Sequence, residues 1–159
     1  MKRPLLAFCR RRVLRRDRST VPTGLLPLPQ VGSAAVFVDA AEEDAASVCG
    51  QVQAAFDRLG IPVLILCPQK GDLNLLGYPR KRVRSASAPR QEELFISLSG
   101  SPECFAAAYE ACCSPARFKV GRCPLPDGVY DLVVTPPGDA GAGQAEAFSA
   151  IMEYLDKIR

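Results

Sequence analysis

The feature that most constrains this chain is a change of hydrophobic period, repeated along its length. Residues 34–39 (A-A-V-F-V-D) form a short, nearly unbroken apolar run, the pattern of a strand buried on both faces. Directly after it, Val48, Cys49, Val52, Ala55, Phe56 and Leu59 recur at helical spacing within residues 42–59. Glu42, Glu43 and Asp44 stand at the start of that segment, where the partial positive charge of a helix N-terminus favours acids. Gly60 supplies a stop, and residues 61–67 (I-P-V-L-I-L-C) return to the pattern of a buried strand. A strand, a helix and a second strand in this order predict a right-handed β-α-β unit.

The alternation continues. Residues 94–98 predict a third strand, and Ser101-Pro102 then reads as N-cap and first-turn proline of a helix running to about residue 113, with Phe105, Tyr109 and Cys112 inward. Residues 117–120 and 129–135 read as two further strands. Residues 144–158 close the chain as a helix with Phe148, Ile151, Met152, Leu155 and Ile158 on one face. Residues 68–93 show neither period and predict irregular structure. Strands alternating with helices imply an α/β fold: a three-layer, Rossmann-like domain with a mostly parallel sheet of four or five strands. One such domain over residues 31–159 accounts for the folded body, since 159 residues is the usual size of one domain.

Residues 1–30 differ in kind. Residues 5–16 predict a helix with Leu5, Leu6, Cys9 and Val13 in one arc and Arg11, Arg15 and Arg18 in another. Residues 20–29, with three prolines and a glycine, predict an extended linker. Residues 1–18 hold eight Lys/Arg against one acid, Asp17, and so carry +7, whereas the other 141 residues carry −4. A basic segment on a mildly acidic body implies an anionic partner. Arginine grips phosphate through bidentate contacts that keep their charge at any cellular pH, so Arg10, Arg11, Arg12, Arg15, Arg16 and Arg18 are candidate nucleic-acid contacts. A second cluster, Arg80, Lys81, Arg82 and Arg84, is expected in a loop after Gly77-Tyr78-Pro79, with Tyr78 available to stack on a base. RNA or a ribonucleoprotein is the leading partner. An anionic membrane surface is the alternative, disfavoured by the narrow apolar arc.

Chemistry is limited by what is missing. The chain has no histidine, so no Ser-His or Cys-His nucleophile pair exists within it and no histidine can hold a metal. Its seven cysteines lack any C-x-x-C pair and several fall on apolar faces, so they read as reduced structural thiols, an expectation of a cytoplasmic protein without a metal site. The apolar run after Met1-Lys2-Arg3 is too short for a secretory signal, and no stretch approaches the length of a membrane span. The same arginine-rich, acid-poor start also fits a mitochondrial transit peptide. No motif implies a cofactor.

Ligands of doubly wound sheets bind beyond the strand C-termini, which makes Asp39, Ser99 and Ser101 candidate contacts for a small anionic ligand. The glycine-rich residues 137–143, with Gly138 and Gly141, could aim amides at a phosphate from the start of the last helix. In residues 116–121, alternation places Phe118 and Val120 on one side of a strand and Arg117 and Lys119 on the other, the two cations displayed to solvent or to an anion. Gly121 is expected either to take a positive φ or to allow a close approach of its neighbours. The corresponding reading of function is a non-enzymatic binding protein contacting RNA through its basic helix. Its alternatives are a small nucleotide- or phosphate-handling enzyme and a peripheral membrane adaptor.

Lys70-Gly71-Asp72-Leu73-Asn74, the strand Leu94-Phe95-Ile96-Ser97-Leu98 and above all Ser114-Pro115-Ala116-Arg117-Phe118-Lys119-Val120-Gly121 carry a resemblance. From the first strand to Arg122 the chain resembles a family of short uncharacterised bacterial α/β proteins with a basic N-terminal helix and an A-[KR]-F-K-V-G motif. Where that family shows Phe-Asp before the third strand, this chain has Glu93-Leu94, so no role for that aspartate carries over. The resemblance implies the fold and no reaction. At the level of fold alone, the strand–helix units are also similar to one half of the nucleotide-sugar glycosyltransferases.

Overall fold

The computed structural model describes residues 3–86, 89–136 and 142–159, apart from the side chains of residues 85 and 86. Five strands form one parallel sheet: β1 (Ala34–Phe37), β2 (Val63–Leu66), β3 (Leu94–Ser97), β4 (Phe118–Gly121) and β5 (Leu132–Val133), in the order β2-β1-β3-β4-β5. Helices cover both faces, as the Rossmann-like reading requires.

One face is closed by α2 (Ala45–Leu59) and α5 (Gln144–Lys157), which pack on each other across the sheet. Ala34, Val36, Val38, Leu94, Ile96, Phe118 and Val120 point at them, and Val48, Val52, Phe56, Phe148, Ile151 and Leu155 point back. Strand side chains alternate between faces, so this set is every second residue of each strand. Phe56 and Phe148 meet with ring centroids 6.3 Å apart. Helix α2 starts three residues later than its acidic cluster suggests, because Glu42 and Glu43 lie in the turn before it. It ends at Gly60, whose φ of 67° suits a residue without a Cβ. Leu59, expected inward, is exposed.

The other face is covered by α4 (Phe105–Cys113), whose Ala106, Ala107 and Ala111 sit on Ala35, Phe37 and Phe95. It begins at Phe105, not after Ser101-Pro102. Those residues form a turn in which the Ser101 hydroxyl accepts from the Glu103 amide at 3.2 Å. Strand β2 is one edge of the sheet, and its four residues are half-buried, unlike the fully buried strand predicted for residues 61–67. Residues 68–93 are less irregular than their pattern implies. They hold a 3-10 turn (Lys70–Asp72) and a short helix, α3 (Lys81–Ala86), so the second basic cluster lies largely on a helix and not in a loop.

The N-terminal helix α1 (Arg3–Asp17) packs against α4. Val13 is buried with Tyr78, Phe105 and Tyr109, and Tyr78 stacks on Tyr109 at 4.5 Å between centroids. Tyr78 is therefore a core residue and is not free to stack on a base. The proline-rich linker is extended as expected, and it is strapped to the body. Ser19 N–H donates to Cys112 O, Gly24 N–H to Arg117 O, and the Thr23 hydroxyl to Asp131 Oδ1 at 2.7 Å, after which Leu26 and Leu28 enter the core. With φ fixed at Pro22, Pro27 and Pro29, that strap loses less entropy on docking. No helix among the described residues is long and apolar enough to cross a membrane.

Candidate functional site

Strand order places the topological switch between β1 and β3. Their following helices, α2 and α4, leave on opposite faces, and a crevice is expected beyond the strand ends. Asp39 and Ser99 stand there, and the Ser99 hydroxyl donates to Asp39 Oδ2 at 3.4 Å. Asp39 Oδ1 accepts from the Ala41 amide at 3.0 Å, so this carboxylate caps its own loop. Gln144, fully buried at the start of α5, takes the Asp39 amide on Oε1 at 2.8 Å and gives Nε2–H to Asp39 O at 3.1 Å.

Arg122 completes this end of the sheet. It follows β4 directly, and its guanidinium lies over Gly100, donating to Leu98 O at 3.0 Å, to Glu42 at 2.9 Å and to Ala142 O. A Cβ on Gly100 would stand 3.0 Å from that guanidinium, so glycine is what lets Arg122 lie flat there. Asp44 accepts from the Ala145 amide at 3.2 Å and from Gln144, and thereby occupies the N-terminus of α5 with a protein carboxylate. Among the described residues, an ion-paired arginine and a helix cap stand at the switch. Gly138 and Gly141, the phosphate-loop candidates, lie outside the described residues. Arg122 escaped the sequence reading. A charged residue directly after a strand-ending glycine was the signal available.

In β4, Phe118 and Val120 are buried as alternation requires, but Lys119 is buried too, at 5% exposure. Its ammonium donates to Ala111 O at 2.8 Å, on the last turn of α4, and its amide to Asp131 Oδ2. Burial pulls its pKa down. Lys119 therefore closes a helix C-terminus and displays no charge, whereas Arg117 is exposed with Glu93 at 3.8 Å. Gly121 has no positive φ; a Cβ there would run into the Tyr130 ring, so close approach is its reason.

The predicted basic residues divide by their partners. Arg10 turns inward, donating to Leu76 O at 2.8 Å with its guanidinium 4.6 Å above the Phe105 ring. Arg16 pairs with Asp17 at 2.7 Å, Arg80 donates to Leu73 O, and Arg84 donates to the Tyr109 hydroxyl at 2.7 Å with Asp17 at 3.9 Å. Arg11, Arg12, Arg15, Arg18, Lys81 and Arg82 are exposed and make no ion pair or side-chain hydrogen bond among the described residues. Arg11 and Arg15 fall on one arc of α1, Arg18 follows directly after its end, and the three line a groove of about 400 Å³ between α1, Cys112 and Asp127.

The seven cysteines are all free thiols. Burial pushes Cys113 up to about 12 and Cys67 up to about 11, so neither is a thiolate near neutral pH. Among the described residues, no group of three or more Cys, Asp or Glu converges as a metal site would. Comparison with family models, with curated proteins and with solved structures returns no match.

Proposed function

We propose that this chain is a binding protein that holds RNA, free or in a ribonucleoprotein, through the exposed arginines of α1. The observation that carries this reading is the groove at Arg11, Arg15 and Arg18: two guanidiniums on one arc of α1, a helix docked to the body, and a third just past its end, lining one groove with a single carboxylate, Asp127. A docked helix presents its charges at fixed spacing, so less side-chain and backbone freedom is lost when phosphates bind. Arg12, Lys81 and Arg82 are exposed as well and add to the positive charge of the surface. A lipid surface is less well served, because Leu5 and Phe8 are the large apolar side chains that α1 exposes and interfacial anchors need a broader apolar face.

The test is anisotropy of a labelled single-stranded RNA across a salt series, with wild type and an Arg11→Gln, Arg15→Gln, Arg18→Gln variant. Deleting α1 would be a poor substitute, because it uncovers Phe105, Tyr78 and Tyr109. Each lost phosphate contact should flatten the slope of log K against log salt by about 0.7, so the triple variant should lose about 2 from it. Its melting should stay that of wild type, as these guanidiniums make no ion pair or side-chain hydrogen bond among the described residues. Equal affinity and equal slope in both proteins would rule the reading out. So would binding to anionic phospholipid vesicles with none to RNA.

A further inference from the structure

Doubly wound sheets normally cover both flanks of each face with helices, and here one flank is left short. Helix α4 covers β1 and β3 through Ala106, Ala107 and Ala111. Among its described residues, the chain linking β2 to β3 supplies a 3-10 turn and the six residues of α3 where a full helix would lie over β2. Leu64 and Leu66 of β2 stay half-buried as a result, and they floor a cleft of about 490 Å³. Val83 of α3 forms one wall, and Arg84, Tyr109 and Cys113 stand at the polar end.

We propose that this cleft binds a small molecule with an apolar body and one uncharged hydrogen-bond acceptor, of the class of ketones, esters or amides. Its volume lies within the range of small-ligand sites, roughly 300–1,000 Å³, and its mix of apolar walls with a few convergent polar groups is theirs as well. The apolar floor calls for an apolar body. Arg84 supplies the donor: Nη1 is spent on the Tyr109 hydroxyl, and the remaining N–H groups have no acceptor among the described residues. The side chain is 36% exposed, within reach of a bound molecule.

Charge selects the acceptor. Asp17 lies 3.9 Å from Arg84, the buried Glu110 is bound by Arg90, and Asp72, the third carboxylate of the lining, accepts from the Gln69 amide at 2.9 Å, so both signs already stand at the cleft. An incoming carboxylate would meet Asp17 and Glu110, and an incoming ammonium would meet Arg84 and Arg90. A neutral acceptor meets neither repulsion. The lining thiols, Cys67 and Cys113, keep their protons at neutral pH, so the cleft holds a ligand without attacking it. This inference is independent of the arginine groove, since Arg84 lines the cleft and Arg11, Arg15 and Arg18 line a different groove.

The experiment uses the full chain and the uncharged dye N-phenyl-naphthylamine, whose emission rises in apolar surroundings. Wild type should enhance the dye, and methyl octyl ketone should displace it at about tenfold lower concentration than nonanoate or nonylamine, the margin expected when a charged group must be desolvated beside a like charge. Val83→Trp, which fills the cleft, should abolish dye enhancement. Arg84→Met should keep the dye and weaken the ketone by about tenfold, the worth of one hydrogen bond to a charged donor. Leu64→Ala, which deepens the floor, should favour the next longer ketone, and this readout decides the matter if Val83→Trp does not fold. The proposal fails if wild type does not enhance the dye or if nonanoate or nonylamine displaces it best. It fails equally if a folded Val83→Trp binds the dye as wild type does, or if Leu64→Ala leaves the preferred chain length unchanged.

Discussion

The two faces of the sheet are built by different physics. Under α2 and α5 the core is apolar, contributed by every second strand residue and by one stripe of each helix, with buried Gln144 as a polar exception at the start of α5. Under α4 the interior is mixed. Arg90 reaches in to bind both Glu92 and Glu110, the Ser114 hydroxyl donates to Glu92 at 2.7 Å, and Lys119 closes the end of α4. The first face gains stability from area removed from water, without regard to direction. The second depends on each buried polar group finding its partner at the right angle, and an unmatched member costs more than an absent one. The candidate ligand cleft and the docked basic helix both lie on this second side. Both proposed sites thus lie where the packing is conditional.

The largest expected effect breaks the apolar face. Phe118 is fully buried beneath α2 and α5, and Phe118→Ala should cost about 3–5 kcal/mol, the range for truncating a buried phenylalanine. Urea denaturation with an unchanged m-value would measure it. A variant as stable as wild type would mean that β4 does not pack in this core.

A somewhat smaller loss should come from the polar face, and it should have a different signature. Arg90→Met strands Glu92 and Glu110 as buried carboxylates. It should cost about 2–4 kcal/mol, less than a fully buried pair because the guanidinium reaches solvent. Replacing Glu92 and Glu110 by Gln in the same chain should recover most of that loss, since no buried charge is then left alone. Phe118→Ala has no such rescue. If the triple variant is less stable than Arg90→Met, the network contributes through something other than charge matching.

The smallest effect is one of pH and separates the faces most cleanly. Burial holds the Glu110 carboxyl above the usual carboxylate range, against the opposing pull of Arg90. A group whose value is raised by folding contributes stability that is complete below its unfolded value, about 4.3 for glutamate, and lost as pH rises through its folded value. Glu110→Gln should therefore flatten the decline in stability with rising pH that begins in that region. Asp17 is held in the opposite direction by its hydrogen bond from Arg16, so its contribution is present above the ordinary aspartate value and falls away on acidification. Denaturation midpoints from pH 3 to pH 7 would follow both, and identical profiles for wild type and Glu110→Gln would contradict the assignment.

What the sequence by itself determined is what periodicity encodes. The order of strands and helices, the α2–α5 stripe, the burial of Phe118 and Val120 and the basic helix over residues 5–16 all follow from local spacing. An apolar face must be buried against something, and its repeat of two or near 3.6 residues says which element carries it. Tertiary structure decided the fate of the polar residues. Lys119 shares its strand side with Arg117, yet the Ala111 carbonyl draws it inward. Tyr78 looked free until Tyr109 was stacked on it, and the guanidiniums of Arg10 and Arg84 looked like those of Arg11 and Arg15 until Phe105, Tyr109 and Asp17 were in place. The same holds for Arg122, whose partners Glu42 and Leu98 stand 80 and 24 residues away in sequence. A hydrogen bond is directional and needs a particular partner, and long-range partners have no period. Hydrophobic burial asks only for a face, which is why the fold was legible and the site was not.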